Sequence, residues 1–245
     1  MFDMFIRQIK KIRGLWLLSA WFFSSVINAQ NSLQTGVSFY KVNPETETIR
    51  MYWRQDDGTP YQTLGRLIDA KGKSHQINMA INGGIYDKEY RPEGLYIENG
   101  KTLRELNTKS GEGNFYIRPG GVFSIGNGQA KIETLEAFGA IPDITFAVQS
   151  GPMLLQHGKI NTKFSQTSES RKIRNAVGLT AKGDIYFLLS RQPMNFYEFA
   201  HYAAEQLNIT ELLYLDGTIS GMYTPSGGVP SQRYPFVTMI TVERK

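Results

Sequence analysis

Four segments of this chain hold side chains of the kind that perform chemistry. Leu215-Asp216-Gly217-Thr218-Ile219-Ser220-Gly221 places one Asp at the end of an apolar run, with glycines around it. A carboxylate in that setting can act as nucleophile or base, and the same pattern also describes an Asx-turn. Ser170-Arg171-Lys172-Ile173-Arg174-Asn175 crowds three positive side chains together. They can clamp an anionic oxygen group, Arg with a two-pronged donor, although such a run also describes a solvated face. Arg174 and Asn175 lead into the apolar Ala176-Val177-Gly178-Leu179, so these two are expected to point into a cleft. Asn82-Gly83-Gly84-Ile85-Tyr86 ends an apolar run with two glycines. Backbone can approach a ligand closely there, or simply turn. Gln149-Ser150-Gly151-Pro152 follows Thr145-Phe146-Ala147-Val148 and reads as a turn, without the G-x-S-x-G context of a hydrolase serine.

Composition removes several alternatives. The 245 residues are 41% hydrophobic and 20% charged, enough apolar chain for a core. There is no cysteine, which excludes disulfides, zinc-thiolate sites and a cysteine nucleophile. The three histidines, His75, His157 and His201, lie far apart, so no histidine-built metal site is expected. No cofactor is implied. The net charge of +5 is uneven. Arg7, Lys10, Lys11 and Arg13 against Asp3 account for +3 of it, leaving a near-neutral body that is a poor partner for nucleic acid.

That basic stretch introduces an uncharged run from Gly14 to Val26, followed by Ile27-Asn28-Ala29. A positive start, a short apolar middle and a small residue at the end describe a secretory signal peptide. Thirteen helical residues would span about 20 Å, short of a membrane's hydrocarbon core. The reading is therefore a leader over 1–29 and a domain over 30–245, periplasmic or secreted, with no stable membrane anchor after cleavage.

The elements that must position the four segments are mostly short strands. Asn99-Gly100, Asn127-Gly128, His157-Gly158 and Lys182-Gly183 are turn signals between β-type runs, which predicts a largely antiparallel sheet. One helix is expected from Thr59-Pro60 as cap and first residue, with Leu64, Leu67 and Ile68 on one face and Gly72 as its stop. A second is expected from Asn195, with Glu198 completing a capping box and Phe196, Phe199, Ala200, Ala203 and Leu207 on one face up to Asn208. It lies between runs 184–190 and 211–215, a β-α-β unit whose parallel strands end on one sheet edge. Asp216 would sit at that edge. The turn at Lys182-Gly183 would bring Arg174 beside Ser190, and so to the same edge. The fold class is α+β: a single domain with a mixed, largely antiparallel sheet, a βαβ unit and few helices.

In order, N-G-G-x-[FY], Q-S-G-P, R-N-A-x-G and L-D-G-x-x-S resemble the phosphodiester glycosidase domain, related to the N-acetylglucosamine-1-phosphodiester N-acetylglucosaminidase, and a bacterial exported subgroup of it. The resemblance runs from about Gly36 to the C-terminus. Thr218 stands where the family pattern has a second glycine.

The resemblance implies hydrolysis of the sugar C1–O bond in a small-molecule or glycan substrate carrying a sugar phosphodiester. An ordinary glycosidase needs a protonated acid to release an alkoxide. A phosphate monoester leaves as a stable anion and needs positive charge more than a proton. On this reading Asp216 and Arg174 are the catalytic pair. Asn82, Asn175 and Ser220 orient sugar hydroxyls, Gln149 and Ser150 form the rim or position backbone, and Gly83, Gly84, Tyr86, Gly151 and Gly217 shape the substrate site. Glu198 is a poor second carboxylate because capping already explains it. Two alternatives stay open: a glycan-binding module without chemistry, and a metal-assisted phosphodiesterase using Asp216 with a carboxylate such as Glu93.

Overall fold

The computed structural model describes residues 36–139, 143–217 and 219–245. The expected leader and Thr218 lie outside the described residues. In chain order the elements are β1 (Val37–Lys41), β2 (Glu47–Tyr52), α1 (Leu64–His75), β3 (Ile77–Asn82), β4 (Tyr96–Glu98), β5 (Lys101–Arg104), β6 (Gly121–Gly126), β7 (Gln129–Thr134), β8 (Ile144–Ser150), β9 (Met153–Gln156), β10 (Lys159–Ile160), β11 (Asn175–Thr180), β12 (Ile185–Ser190), α2 (Phe196–Leu207), β13 (Ile209–Tyr214), β14 (Met222–Tyr223) and β15 (Met239–Arg244).

The strands form three sheets, ordered β1-β12-β11-β13-β9-β10, β14-β3-β15-β2 and β5-β4-β8-β6-β7. Turn chemistry explains the local pairings. Asn99 and Gly100 hold φ of 51° and 76°, and Asn127 and Gly128 hold 50° and 73°, the left-handed backbone a tight hairpin needs. These turns join β4 to β5 and β6 to β7, both antiparallel. Lys182-Gly183 closes a longer loop. Gly183 takes φ 86°, its N–H donates to Thr180 O, and Thr180 N–H donates to Asp184 O.

The β-α-β unit is present, with one strand inserted. β11 pairs antiparallel with both β12 and β13, so those two strands are parallel to each other but not neighbours. The capping box of α2 forms as expected: Asn195 Oδ1 accepts from Glu198 N–H at 2.9 Å, and Glu198 Oε2 accepts from Asn195 N–H at 3.3 Å. Asn208 ends the helix in the left-handed conformation. Phe199, Ala200 and Ala203 are buried as α2 lies on β13 and β9.

The first helix differs from expectation at both ends. Its cap is Thr63, whose side chain accepts from Arg66 N–H at 3.1 Å. Thr59-Pro60 instead turns back on the preceding strand: Pro60 bridges Arg54, and Gln55 N–H donates to Thr59 O. Gln62, at φ 63°, breaks any helix that would start earlier. Gly72 does not stop the helix. It accepts from the N–H of Gln76, the left-handed residue that does.

One apolar core is shared by all three sheets. Met51, Met79 and Ile81 of the sheet β14-β3-β15-β2 meet Phe123, Phe146 and Val148 of the sheet β5-β4-β8-β6-β7, and Val177, Phe187 and Leu213 of the sheet β1-β12-β11-β13-β9-β10, with Leu215 just past β13. The two-residue period of a strand sorts β3: Met79 and Ile81 face this core, while Ala80 faces Leu64 and Leu67 of α1. Burial on both sides explains the apolar run Ala176-Val177-Gly178-Leu179 of β11.

Candidate active site

The four segments meet where the three sheets converge. Asn82 closes β3, Gln149-Ser150 close β8, Asn175 opens β11, and Asp216 follows β13. A buried pair of amides joins them. Asn175 Nδ2 donates to Asn82 Oδ1 at 2.9 Å. Asn175 Oδ1 accepts from Asp216 N–H at 2.8 Å, and Asn82 Nδ2 donates to Asp216 O at 3.1 Å. Thus one peptide group on each side of Asp216 is held by one amide. Asn82 Oδ1 also takes Gly221 N–H at 3.1 Å. Ser220 Oγ donates to Asp216 O at 2.6 Å, and Ser150 Oγ donates to Leu215 O at 2.7 Å.

This arrangement revises the expected roles. Asn82 and Asn175 are 2% and 0% exposed. Their polar atoms are committed to the Asp216 main chain, to Gly221 N–H and to each other, so they fix the backbone that carries Asp216 instead of facing an open cleft. Gln149 takes the backbone-positioning half of its expected role. Its Oε1 accepts from Leu95 N–H and Asn107 N–H, and its Nε2 donates to Asn107 O. The glycines let protein approach protein. A Cβ on Gly84 would lie 2.8 Å from Gln149 O, one on Gly151 2.9 Å from Phe115 O, and one on Gly217 would strike Ile173 O. Gly83 meets Thr238 in the same way.

Arg174 reaches the expected sheet edge: its N–H donates to Ser190 Oγ at 2.8 Å, and Ser190 N–H returns a bond to Arg174 O at 2.7 Å. It does not line an open cleft. The residue is 2% exposed, with Nε donating to Met194 O and Nη2 to Ser170 O. Its guanidinium lies 4.0 Å from the centre of the Phe196 ring. Among the described residues it forms no ion pair with a carboxylate. The basic trio therefore diverges. Arg171 pairs with Glu198 at 2.7 Å, Lys172 is exposed, and Arg174 turns inward.

Of the twelve expected site residues, Asp216, Tyr86 and Ser220 are the partly exposed ones, and the rest are buried. Two phenols feel the Asp216 charge. Burial, with Asp216 adding to it, pushes the Tyr86 phenol up to about 12. It therefore stays protonated, and its O–H donates to Pro235 O at 3.1 Å. Burial and then Asp216 also hold the Tyr214 phenol above its usual range, while Arg174 opposes them. Tyr214 OH accepts from Gly217 N–H. Sequence reading missed Tyr214, although strand alternation from Asp216 points to it. It placed Ser190 beside Arg174, as found, but missed Phe196 as the ring under the guanidinium. Among the described residues no three His, Asp or Glu side chains gather as a metal-binding group.

Known proteins agree with this architecture. The family model described as phosphodiester glycosidase matches residues 75–244. An uncharacterized Escherichia coli protein, YigE, is 54% identical over 209 residues, covering 85% of this chain and 82% of its own. Two solved structures share the fold. One is the catalytic domain of zebrafish N-acetylglucosamine-1-phosphodiester alpha-N-acetylglucosaminidase, auto-inhibited by its pro-peptide, at 14% identity and a TM-score of 0.55. The match covers 86% of this chain and 88% of that one. The other is a hypothetical protein from Synechocystis, at 15% identity and a TM-score of 0.53, covering 85% and 59%.

Proposed function

Because this chain belongs to the phosphodiester glycosidase family, we propose that it hydrolyses the C1–O bond of a sugar-1-phosphodiester with Asp216 as the working carboxylate. The observation that carries the reading is the hold on Asp216. Asn82, Asn175 and Ser220 fix its own peptide groups, and Ser150 fixes the carbonyl before it. The residue stays partly exposed while the amides that hold it are buried. A group fixed in this way loses little freedom when substrate binds. Asp216 attacks C1 directly, forming a glycosyl ester that water then hydrolyses at C1, or it takes a proton from the water that attacks C1. In either route the C1–O bond breaks and its electron pair leaves on the phosphate oxygen. That leaving group is already a stable anion, so no second carboxylic acid is required. Arg174 acts at one remove. Its buried charge sits behind Tyr214 and offsets the negative potential of Asp216 and an arriving phosphate.

The test is hydrolysis of the methyl phosphodiester of N-acetylglucosamine 1-phosphate in ¹⁸O-water. Label on the sugar with Asp216→Asn inactive supports the reading. Label on phosphate indicates a phosphodiesterase, and binding without cleavage indicates a glycan-binding module. Either result overturns it.

A further inference from the structure

The two peptide groups that flank Asp216 carry four polar atoms, and a side chain holds each of them. Leu215 O accepts from Ser150 Oγ, and Asp216 N–H donates to Asn175 Oδ1. Asp216 O accepts from Asn82 Nδ2 and from Ser220 Oγ. The fourth atom is Gly217 N–H, which donates to the hydroxyl oxygen of Tyr214. Asn82, Ser150, Asn175 and Ser220 belong to the four segments that sequence singles out. Tyr214 does not, yet it completes the set.

Tyr214 is placed for this contact. It closes β13, where it pairs with Ala176 of β11, and its N–H donates to Pro152 O at 3.1 Å. Its ring meets Phe196 edge-on, with centres 4.8 Å apart and planes at 81°. The residue is 1% exposed. A hydroxyl buried so deeply costs free energy unless it is bonded, and a phenylalanine would fill the same space without one. Gly217 supplies the counterpart: a Cβ there would strike the Tyr214 hydroxyl oxygen, so only a glycine lets this amide come so close. Arg174 backs the pair. Its guanidinium, tied to Met194 O and Ser170 O, lies 4.0 Å from the centre of the Phe196 ring and 5.7 Å from that of Tyr214. Burial and the Asp216 charge hold the phenol above its usual range, so it keeps its proton at neutral pH and stays a neutral acceptor.

We infer that Tyr214 is a positioning residue for the reaction at Asp216, and that Arg174 acts on the carboxylate through it. A trans peptide is planar, with its C=O and N–H pointing opposite ways. Asn82 and Ser220 hold one side of the Asp216–Gly217 peptide, which alone leaves its plane free to tilt. Tyr214 holds the other side and fixes the plane, and with it the direction in which Asp216 leaves the backbone. The inference rests on the proposed role of Asp216.

Tyr214→Phe removes the oxygen and keeps the ring, its contact with Phe196 and the strand. With the methyl phosphodiester of N-acetylglucosamine 1-phosphate, kcat should fall about 2- to 12-fold, the kinetic equivalent of one net hydrogen bond, with KM unchanged. Tyr52→Phe is the control for stability alone. It removes another buried hydroxyl, bonded to Glu243 Oε1 at 2.8 Å, and should lower Tm while kcat stays at the wild-type value. Arg174→Lys, assayed well below its Tm, should lower kcat in the wild type and lower it less in the Tyr214→Phe background. A wild-type kcat in Tyr214→Phe, a change in KM alone, or the same kcat loss in Tyr52→Phe overturns the positioning role. Two losses that multiply in full overturn the route from Arg174. If the wild type does not cut the diester, the glycosidase reading fails and the hold is read in the free protein by amide exchange. Gly217 N–H exchanging about 2- to 12-fold faster in Tyr214→Phe keeps the hold on the Asp216 backbone, and an unchanged rate removes it.

Discussion

Replacing Asn175 with Ala should damage both stability and chemistry, and the size of the damage follows from two hydrogen bonds. Asn175 is 0% exposed. The substitution removes the acceptor of Asp216 N–H at 2.8 Å and the donor to Asn82 Oδ1 at 2.9 Å. It keeps the Asn175 carbonyl that receives Leu215 N–H, so the strand ladder survives. Each lost bond is worth about 0.5–1.5 kcal/mol net, and a donor stranded away from water adds a desolvation cost of about 1–3 kcal/mol. Asp216 is partly exposed, so water entering the vacated space offsets part of that cost. The expected loss is about 2–4 kcal/mol, a large share of the 5–15 kcal/mol of a typical domain. For a domain of this size that lowers Tm by about 4–16 °C. Urea and thermal unfolding measure the loss, and hydrolysis of the methyl phosphodiester measures the effect on chemistry. The fall should be in kcat, because Asn175 holds Asp216 and not the substrate. Asp216→Asn separates the two roles: it should abolish turnover and leave Tm nearly unchanged. An Asn175→Ala protein with wild-type Tm and wild-type kcat would show that the amide pair does not hold the carboxylate.

Arg174→Lys should cost about 2–4 kcal/mol in urea unfolding, because one ammonium cannot reproduce both carbonyl contacts and the stack on Phe196; a loss under 0.5 kcal/mol refutes its role as a buried strut. Glu198 is held below the usual glutamate value of 4.5, first by Arg171 and also by Asn195 N–H. Its folded-state value lies under its unfolded one, so its contribution is full above about pH 4.5 and fades as pH falls through the folded value. The stability gap between wild type and Glu198→Gln should stay level from pH 6 to 8 and shrink below pH 4.5; a gap independent of pH removes the carboxylate from the cap. N-terminal sequencing of protein made in a bacterial host should find a start at or near Gln30 if the segment over 1–29 directs export, whereas an intact Met1 in the soluble cytosolic fraction refutes it.

Sequence showed what depends on local chemistry. Asn-Gly pairs need left-handed backbone, and Asn195 with Glu198 satisfies a helix's first N–H groups, so both could be placed without knowing their neighbours. The first helix failed on a non-local fact: Pro60 bridges Arg54, which uses the residues that otherwise read as a cap. The inserted strand of the β-α-β unit was hidden for the same reason. Two parallel strands joined by a helix look alike whether or not a third lies between them. The sheet edge was still deduced correctly, because an antiparallel insertion leaves both parallel strands ending on one side.

The candidate site shows the same division one level higher. Motif order located the four segments, but polar residue type alone pointed their side chains at substrate. Burial decides otherwise. At 0–2% exposure, Asn82, Asn175, Gln149 and Arg174 must satisfy their polar groups within the protein, and the nearest partners are the main-chain groups of adjoining segments. Gly84, Gly151 and Gly217 follow from that closeness, since a Cβ at each would strike protein atoms. The motifs thus describe the hold on one aspartate more than the shape of a substrate. On the proposed reading, substrate contact falls to the residues that stay partly exposed, Asp216, Ser220 and Tyr86. If the proposed reading holds, the buried framework around Asp216 sets the kind of reaction, and the partly exposed residues at its mouth are where specificity is to be sought.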